Sequence, residues 1–151
     1  MTPLSKFTGK LIVVEGPTAS GKTDIAIELA SYFGAEIISA DSRQFYKELP
    51  IGTAAPTSIQ RNKVPHHFVA MLSVADDYNV SRFEHDVLDL LVNKFANAPL
   101  VIMVGGSGLY IDAVCNGIDI LPDIEDSIRN DAKSNYETRG IKGLQEKLYQ
   151  L

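Results

Sequence analysis

Three short apolar runs organise this chain. Leu11-Ile12-Val13-Val14-Glu15 is β-branched and apolar at successive rather than alternating positions, the pattern of a strand buried on both faces of a parallel sheet. Glu36-Ile37-Ile38-Ser39-Ala40 predicts a second strand that delivers Asp41 at its carboxyl end, and Leu100 to Val104 predicts a third. Between these runs the apolar positions switch to helical spacing. A helix is predicted from about Lys22 to Phe33, with Ile25, Ala26, Leu29 and Ala30 as its apolar stripe and Gly34 as its stop. A longer one is predicted over Val80 to Ala96. There Phe83, Val87, Leu91 and Phe95 recur at helical intervals, and Ser81 with Glu84 has the spacing of a capping box. Leu109 to Asn116 reads as a further helix. Ser42 to Asp77 is punctuated by Pro50, Gly52, Pro56 and Pro65 and predicts loops and short helices.

Alternation of strand and helix defines an α/β domain with a parallel sheet. After Gly117 the texture changes: Pro122 to Leu151 has dense charge and no strand-like run, consistent with two helices split by Gly140. The expected organisation is therefore a core over residues 1–117 and the start of a helical domain over 118–151. The last helical pattern stops without a cap, so the chain is expected to be part of a longer protein.

Of the 151 residues, 45% are hydrophobic and 22% charged, which excludes a disordered tail or a fibrous repeat. The net charge of −5 excludes nucleic-acid binding through bulk charge but leaves room for a local basic groove. Cys115, being the single cysteine, cannot form an internal disulfide, and it is expected to be a small buried apolar side chain. The longest apolar stretches reach about six residues, against the ~20 that span a bilayer. With no small-residue cleavage site near the N-terminus, a soluble, cytoplasmic protein with no membrane partner is expected.

The chemistry concentrates after the first strand. Gly16-Pro17-Thr18-Ala19-Ser20-Gly21-Lys22-Thr23 matches G-x-x-x-x-G-K-[ST] in full, with a buried strand before it and a helix after it. Glycines let the backbone curl so that successive N–H groups face a phosphate, and the helix start adds partial positive charge. Lys22 supplies a mobile point charge, and the Thr23 hydroxyl is placed to ligate Mg²⁺. Such a cradle recognises a diphosphate or triphosphate rather than a reaction. Nucleotide hydrolysis, small-molecule phosphorylation and displacement of diphosphate as a leaving group all remain open, as does a non-catalytic binding module. Asp41 belongs to the same sheet edge, where it could hold metal-bound water or take a proton from an attacking nucleophile.

Further segments follow the cradle in order: Asp41-Ser42-Arg43-Gln44-Phe45-Tyr46, Ile51-Gly52-Thr53-Ala54-Ala55-Pro56, Pro65-His66-His67 and Gly105-Gly106-Ser107-Gly108-Leu109-Tyr110. Together they closely resemble the tRNA dimethylallyltransferase (tRNA isopentenyltransferase) family, from about Leu11 to Asn116 and more weakly beyond. The resemblance implies a P-loop NTPase-like parallel sheet flanked by helices, followed by the beginning of a helical insertion that embraces a tRNA anticodon stem-loop. It implies transfer of a dimethylallyl group from dimethylallyl diphosphate to N6 of the adenine on the 3′ side of the anticodon. In that scheme Gly16, Pro17, Thr18, Ala19, Ser20, Gly21, Lys22 and Thr23 grip the diphosphate, with Thr23 near Mg²⁺, and Asp41 is the general base. Asp41, Ser42, Arg43 and Gln44 hold the target base, Ser107 stands where the family usually has Thr and contacts tRNA, and Arg129 could touch the tRNA backbone. His66 and His67 are expected to anchor a loop.

The chain departs from the family pattern at Ala55, where Lys is common, and at Phe45, where an aliphatic residue is usual. Phe45 and Tyr110 are candidates for an apolar pocket or for core packing. The family also continues well beyond 151 residues. By the resemblance, the 151-residue chain alone is expected to be inactive or severely impaired, and the full-length protein to act as a monomer.

Overall fold

The computed structural model describes residues 7–119 and 124–150. Their elements, in order, are β1 (Lys10–Glu15), α1 (Lys22–Phe33), β2 (Ile37–Ser39), α2 (Ser58–Lys63), β3 (His66–His67), α3 (Val80–Asn93), β4 (Leu100–Gly105), α4 (Gly108–Asn116) and α5 (Asp126–Leu148). The chain divides into two units, Met1–Ile118 and Asp119–Leu151. The part of the Pro122–Leu151 reading at 122–123 and 151 lies outside the described residues.

In the first unit four strands form one sheet in the order β1-β4-β2-β3, and every pairing is parallel. Ile102 of β4 pairs with Ile12 on one side and Ile37 on the other, so the apolar runs stack in register across the sheet. Because side chains alternate along a strand, each run feeds two cores. Ile37, Ile102 and Val104 pack with Ala26, Ile27 and Ala30 of α1. Ile38, Val101 and Met103 pack on the other face with Phe83, Val87 and Leu91 of α3 and Ile111 and Val114 of α4. This is the layered α/β arrangement expected of strands apolar at every position.

Several local expectations are corrected. The stripe of α1 is Ala26, Ile27 and Ala30, whereas Ile25 is exposed, because the turn at Gly21 fixes the rotation at which the helix leaves the cradle. The cap of α3 is Asn79, whose side chain accepts from the Arg82 N–H at 2.9 Å; Ser81 therefore falls inside the first turn and is no cap. That helix ends at Asn93, and Phe95 reaches the core from the turn that follows. Cys115 is exposed rather than buried, since the inward positions of α4 are Ile111, Ala113 and Val114. Phe45 is fully buried, 5.4 Å between ring centroids from Phe83 and 5.8 Å from Tyr110, so both Phe45 and Tyr110 are packing residues of the α3–α4 side.

The second unit is α5, a polar segment interrupted at Gly140 (φ 64°, ψ −163°), where the helical hydrogen bonding breaks into two stretches as the glycine predicts. Among the described residues no helix is long and apolar enough to cross a membrane.

Candidate functional site

Parallel pairing places the carboxyl ends of β1, β2 and β4 at one edge, and the site is assembled there. The cradle leaves β1 at Glu15 and turns back through two left-handed residues, Ala19 (φ 65°) and Gly21 (φ 81°), before α1 begins at Lys22. Glycine adopts this geometry freely; at Ala19 the surrounding turn must hold a conformation that costs an L-residue about 1–2 kcal/mol. Among the described residues no side chain caps α1, which leaves its first N–H groups available to a ligand. Lys22 Nζ donates to the Pro17 carbonyl across the loop, so the ammonium is held over the turn it would share with an anion.

Across the edge, the residues after β2 are tied to those after β4. The Ser107 hydroxyl accepts from the Ser42 N–H at 3.0 Å and donates to the Ser42 hydroxyl at 3.2 Å, while the Ser107 N–H donates to the Ala40 carbonyl. Asp41 sits between these ties and its carboxylate accepts from the Arg43 N–H at 3.1 Å, which fixes its rotamer. Gly105 makes this closeness possible: a Cβ there would lie 2.1 Å from the Ala40 carbonyl oxygen.

One cavity of about 50 Å³ joins the two halves. Its walls include Thr18, Ala19, Lys22 and Thr23 from the cradle, Ser39, Asp41 and Gln44 from the end of β2, and Thr53, Ala54 and Pro56 from the following loop. Arg43 is exposed beside it, and Ser42 and Ser107 form the tie behind Asp41. Gln44 is engaged within the protein: its amide N–H groups donate to the Thr53 and Ala54 carbonyls at 3.2 and 3.4 Å, and its oxygen accepts from the buried Ser39 hydroxyl at 3.0 Å. Arg129 belongs to the other unit, where it is an exposed residue of α5. Among the described residues no cluster of three His, Cys, Asp or Glu side chains could hold a metal unaided.

Sequence reasoning missed Ser39 and His66 as cavity residues. β3 is only two residues long, too short to give a periodic signal, yet its pairing with β2 sends His66 to the same face as Ile37 and His67 to the other. The adjacent histidines are thus kept apart. His67 Nε2 lies 2.6 Å from the Glu36 carboxylate, which also takes Lys94 at 2.7 Å. His66 lines the cavity; its Nδ1 meets the Val64 carbonyl at 2.7 Å and its Nε2 is enclosed without a partner among the described residues.

Burial holds the His66 pKa below the ordinary 6.5, against the raising effect of the Val64 carbonyl and with help from the charges of Arg61 and His67. The folded protein therefore favours the neutral ring, and the unfolded chain binds the proton more readily. This contribution to stability is complete above pH 6.5 and is lost as pH falls through the lower folded-state value. Urea midpoints measured from pH 8 down to pH 5 should fall in that window, and His66→Gln should flatten the fall; an equal slope in both proteins would assign it elsewhere.

A glycine-rich turn of the pattern G-x-x-x-x-G-K-[ST] between a parallel strand and a helix, with a carboxylate at the same sheet edge, defines a P-loop α/β protein. The IPP transferase family model matches residues 44–151, and the chain belongs to that family. It is 52% identical over 138 residues to tRNA dimethylallyltransferase 2 of Azobacteroides pseudotrichonymphae, covering 91% of this chain and 45% of that protein. It is 49% identical over 131 residues to tRNA dimethylallyltransferase 2 of Parabacteroides distasonis, covering 87% of this chain and 44% of that one. In structure it is similar to the full-length tRNA isopentenylpyrophosphate transferase of Bacillus halodurans, with a TM-score of 0.71 and 30% identity over 95% of this chain and 48% of that one. The chain thus spans less than half the length of these relatives.

Proposed function

We propose that this chain is the donor-binding and catalytic portion of a tRNA dimethylallyltransferase, which moves a dimethylallyl group from dimethylallyl diphosphate to N6 of the adenine 3′ to the anticodon. The observation that carries this reading is that one cavity is lined by both the cradle and Asp41. The turn with Lys22 and the Asp41 carboxylate share its lining, which supports a leaving diphosphate and an incoming amine meeting there.

The allylic C–O bond breaks with its electron pair going to diphosphate, a C–N bond forms to N6, and the N6 proton passes to the Asp41 carboxylate. Gly16 to Thr23 present N–H donors and Lys22 presents its ammonium to the charge that grows on the leaving group. Fixed donors of this kind stabilise a transition state without reorganising. The Thr23 hydroxyl, a hard oxygen donor lining the cavity, suits Mg²⁺ completed by phosphate oxygens and water. When bound, the ion would add Lewis-acid stabilisation of the departing charge. Asp41 does general-base work because the adenine amine, its lone pair delocalised, attacks only as its proton is removed. Ser42, Arg43 and Ser107 hold the acceptor strand, and Gln44 pairs with the edge of a base drawn out of its stack. Residues 118–151, with Arg129 among them, would begin the helical part that grips the anticodon stem-loop, in a cytoplasmic protein acting as a monomer.

The test joins this chain to the remaining length of the Azobacteroides relative. Dimethylallyl diphosphate, Mg²⁺ and unmodified tRNA should yield pyrophosphate and dimethylallyl-adenosine in equal amounts. Phosphorylation of a small acceptor from ATP, with no pyrophosphate from the prenyl donor, would overturn the reading.

A further inference from the structure

The cavity at the cradle is smaller than its proposed ligand requires. Pockets for small molecules measure about 300–1,000 Å³, whereas this one holds about 50 Å³. The loop carrying Thr53, Ala54 and Pro56 forms one of its walls. That loop is a self-bonded turn: Thr53 Oγ1 donates to the Leu49 carbonyl at 2.6 Å, Ala54 N–H to Ile51 at 3.2 Å, and Ala55 N–H to Pro50 at 3.2 Å. Ile51 at its tip is 93% exposed, and Pro56 at its end is the buried residue of the loop, so apolar packing fastens its base and not its tip. Ala54 is left-handed (φ 48°), which favours departure from the present geometry.

Gln44 ties this turn to the sheet. Its two N–H groups reach the Thr53 and Ala54 carbonyls, and the Ser39 hydroxyl fixes which end of the amide faces the loop. Ser39 is 1% exposed on the central sheet, a rigid anchor.

We propose that Gln44 is a latch that holds the loop of residues 50–56 closed over the cradle, so that a diphosphate enters only after this amide lets go. The amide has two donors and one carbonyl, and all are engaged, so the closed loop and a base edge compete for the same groups. Release of the loop both opens the cradle and frees Gln44 for an acceptor. The loop-holding role stands on the hydrogen bonds alone; the consequence for ligand entry rests on the cradle binding diphosphate.

Gln44→Met keeps the length and shape of the side chain and removes every hydrogen bond. In this protein, amide exchange within residues 51–56 should quicken about tenfold, the effect of losing one or two net hydrogen bonds. Association of pyrophosphate with Mg²⁺ should accelerate by a similar factor, because more molecules are open at any moment. The melting temperature should fall by only the few degrees that one or two hydrogen bonds are worth, whereas a general packing defect would lower it further. Ser39→Ala, which removes only the orienting donor, should move exchange the same way by less, and it decides the matter if Gln44→Met does not fold. Unchanged loop exchange in the folded variants overturns the latch. Quickened exchange with no pyrophosphate binding by any protein supports the latch and rejects the cradle's assignment instead.

Discussion

On the proposed function, Asp41→Asn should lower the rate of prenyl transfer by about 10²–10⁴-fold, the range that a positioned general base supplies, while tRNA binding should stay near the parent value. The substitution is chosen for what it preserves. Asparagine keeps the shape of the side chain, and its carbonyl oxygen can accept the Arg43 N–H as the carboxylate does at 3.1 Å. The Ser42–Ser107 tie beside it involves neither Asp41 oxygen. What disappears is a group that can take the N6 proton and the negative charge that steadies the developing cation. The measurement is single-turnover formation of dimethylallyl-adenosine in the fusion with the relative's remaining length, alongside equilibrium binding of unmodified tRNA. A matching loss of binding would make Asp41 a recognition residue, and full turnover would remove it from the chemistry.

How far such a site can be read from sequence depends on whether its parts are local. The cradle is legible because strand, glycine turn and helix are contiguous, and α1 spans Lys22–Phe33 as its periodicity and Gly34 indicate. β4 and the inward face of α3 are legible for the same reason, since an unbroken apolar run and a 3.6-residue rhythm each report burial directly. β3 escapes because two residues carry no period. Ser81 is misread as the cap of α3 because Asn79, two residues earlier, belongs to a type that caps equally well. Cys115 is misjudged because residue-type averages ignore which side of α4 meets the core. The engagement of Gln44 is beyond sequence reasoning for a different reason. Its partners are five residues before it and nine and ten after it, brought together by a loop with no regular structure. A glutamine free to read a base and one bound to a loop look the same in a sequence.

Gly105→Ala should destabilise the protein by about 1–3 kcal/mol, the usual cost of forcing a methyl into filled space, and should slow transfer well beyond what that loss of stability explains. The added Cβ would meet not a flexible side chain but the backbone of Ala40, 2.1 Å from its oxygen and 2.4 Å from its carbonyl carbon. Two hydrogen bonds run through that carbonyl neighbourhood: Ser107 N–H donates to the Ala40 oxygen, and Ala40 N–H donates to Val104. Relief must therefore spread the chain just after β2 from the end of β4, and the residue that follows Ala40 is Asp41. A displacement of about 1 Å at a reacting group can cost 10²-fold in rate, so the base suffers even in molecules that remain folded. Gly52→Ala is the control, because a Cβ at Gly52 meets nothing within 4 Å and no unusual backbone angle is needed there. Thermal melts and transfer rates of the two variants, measured at a temperature where both are folded, separate the effects. If Gly105→Ala melts lower yet transfers at the parent rate when folded, the approach of β4 to Ala40 serves packing alone and does not set the position of Asp41.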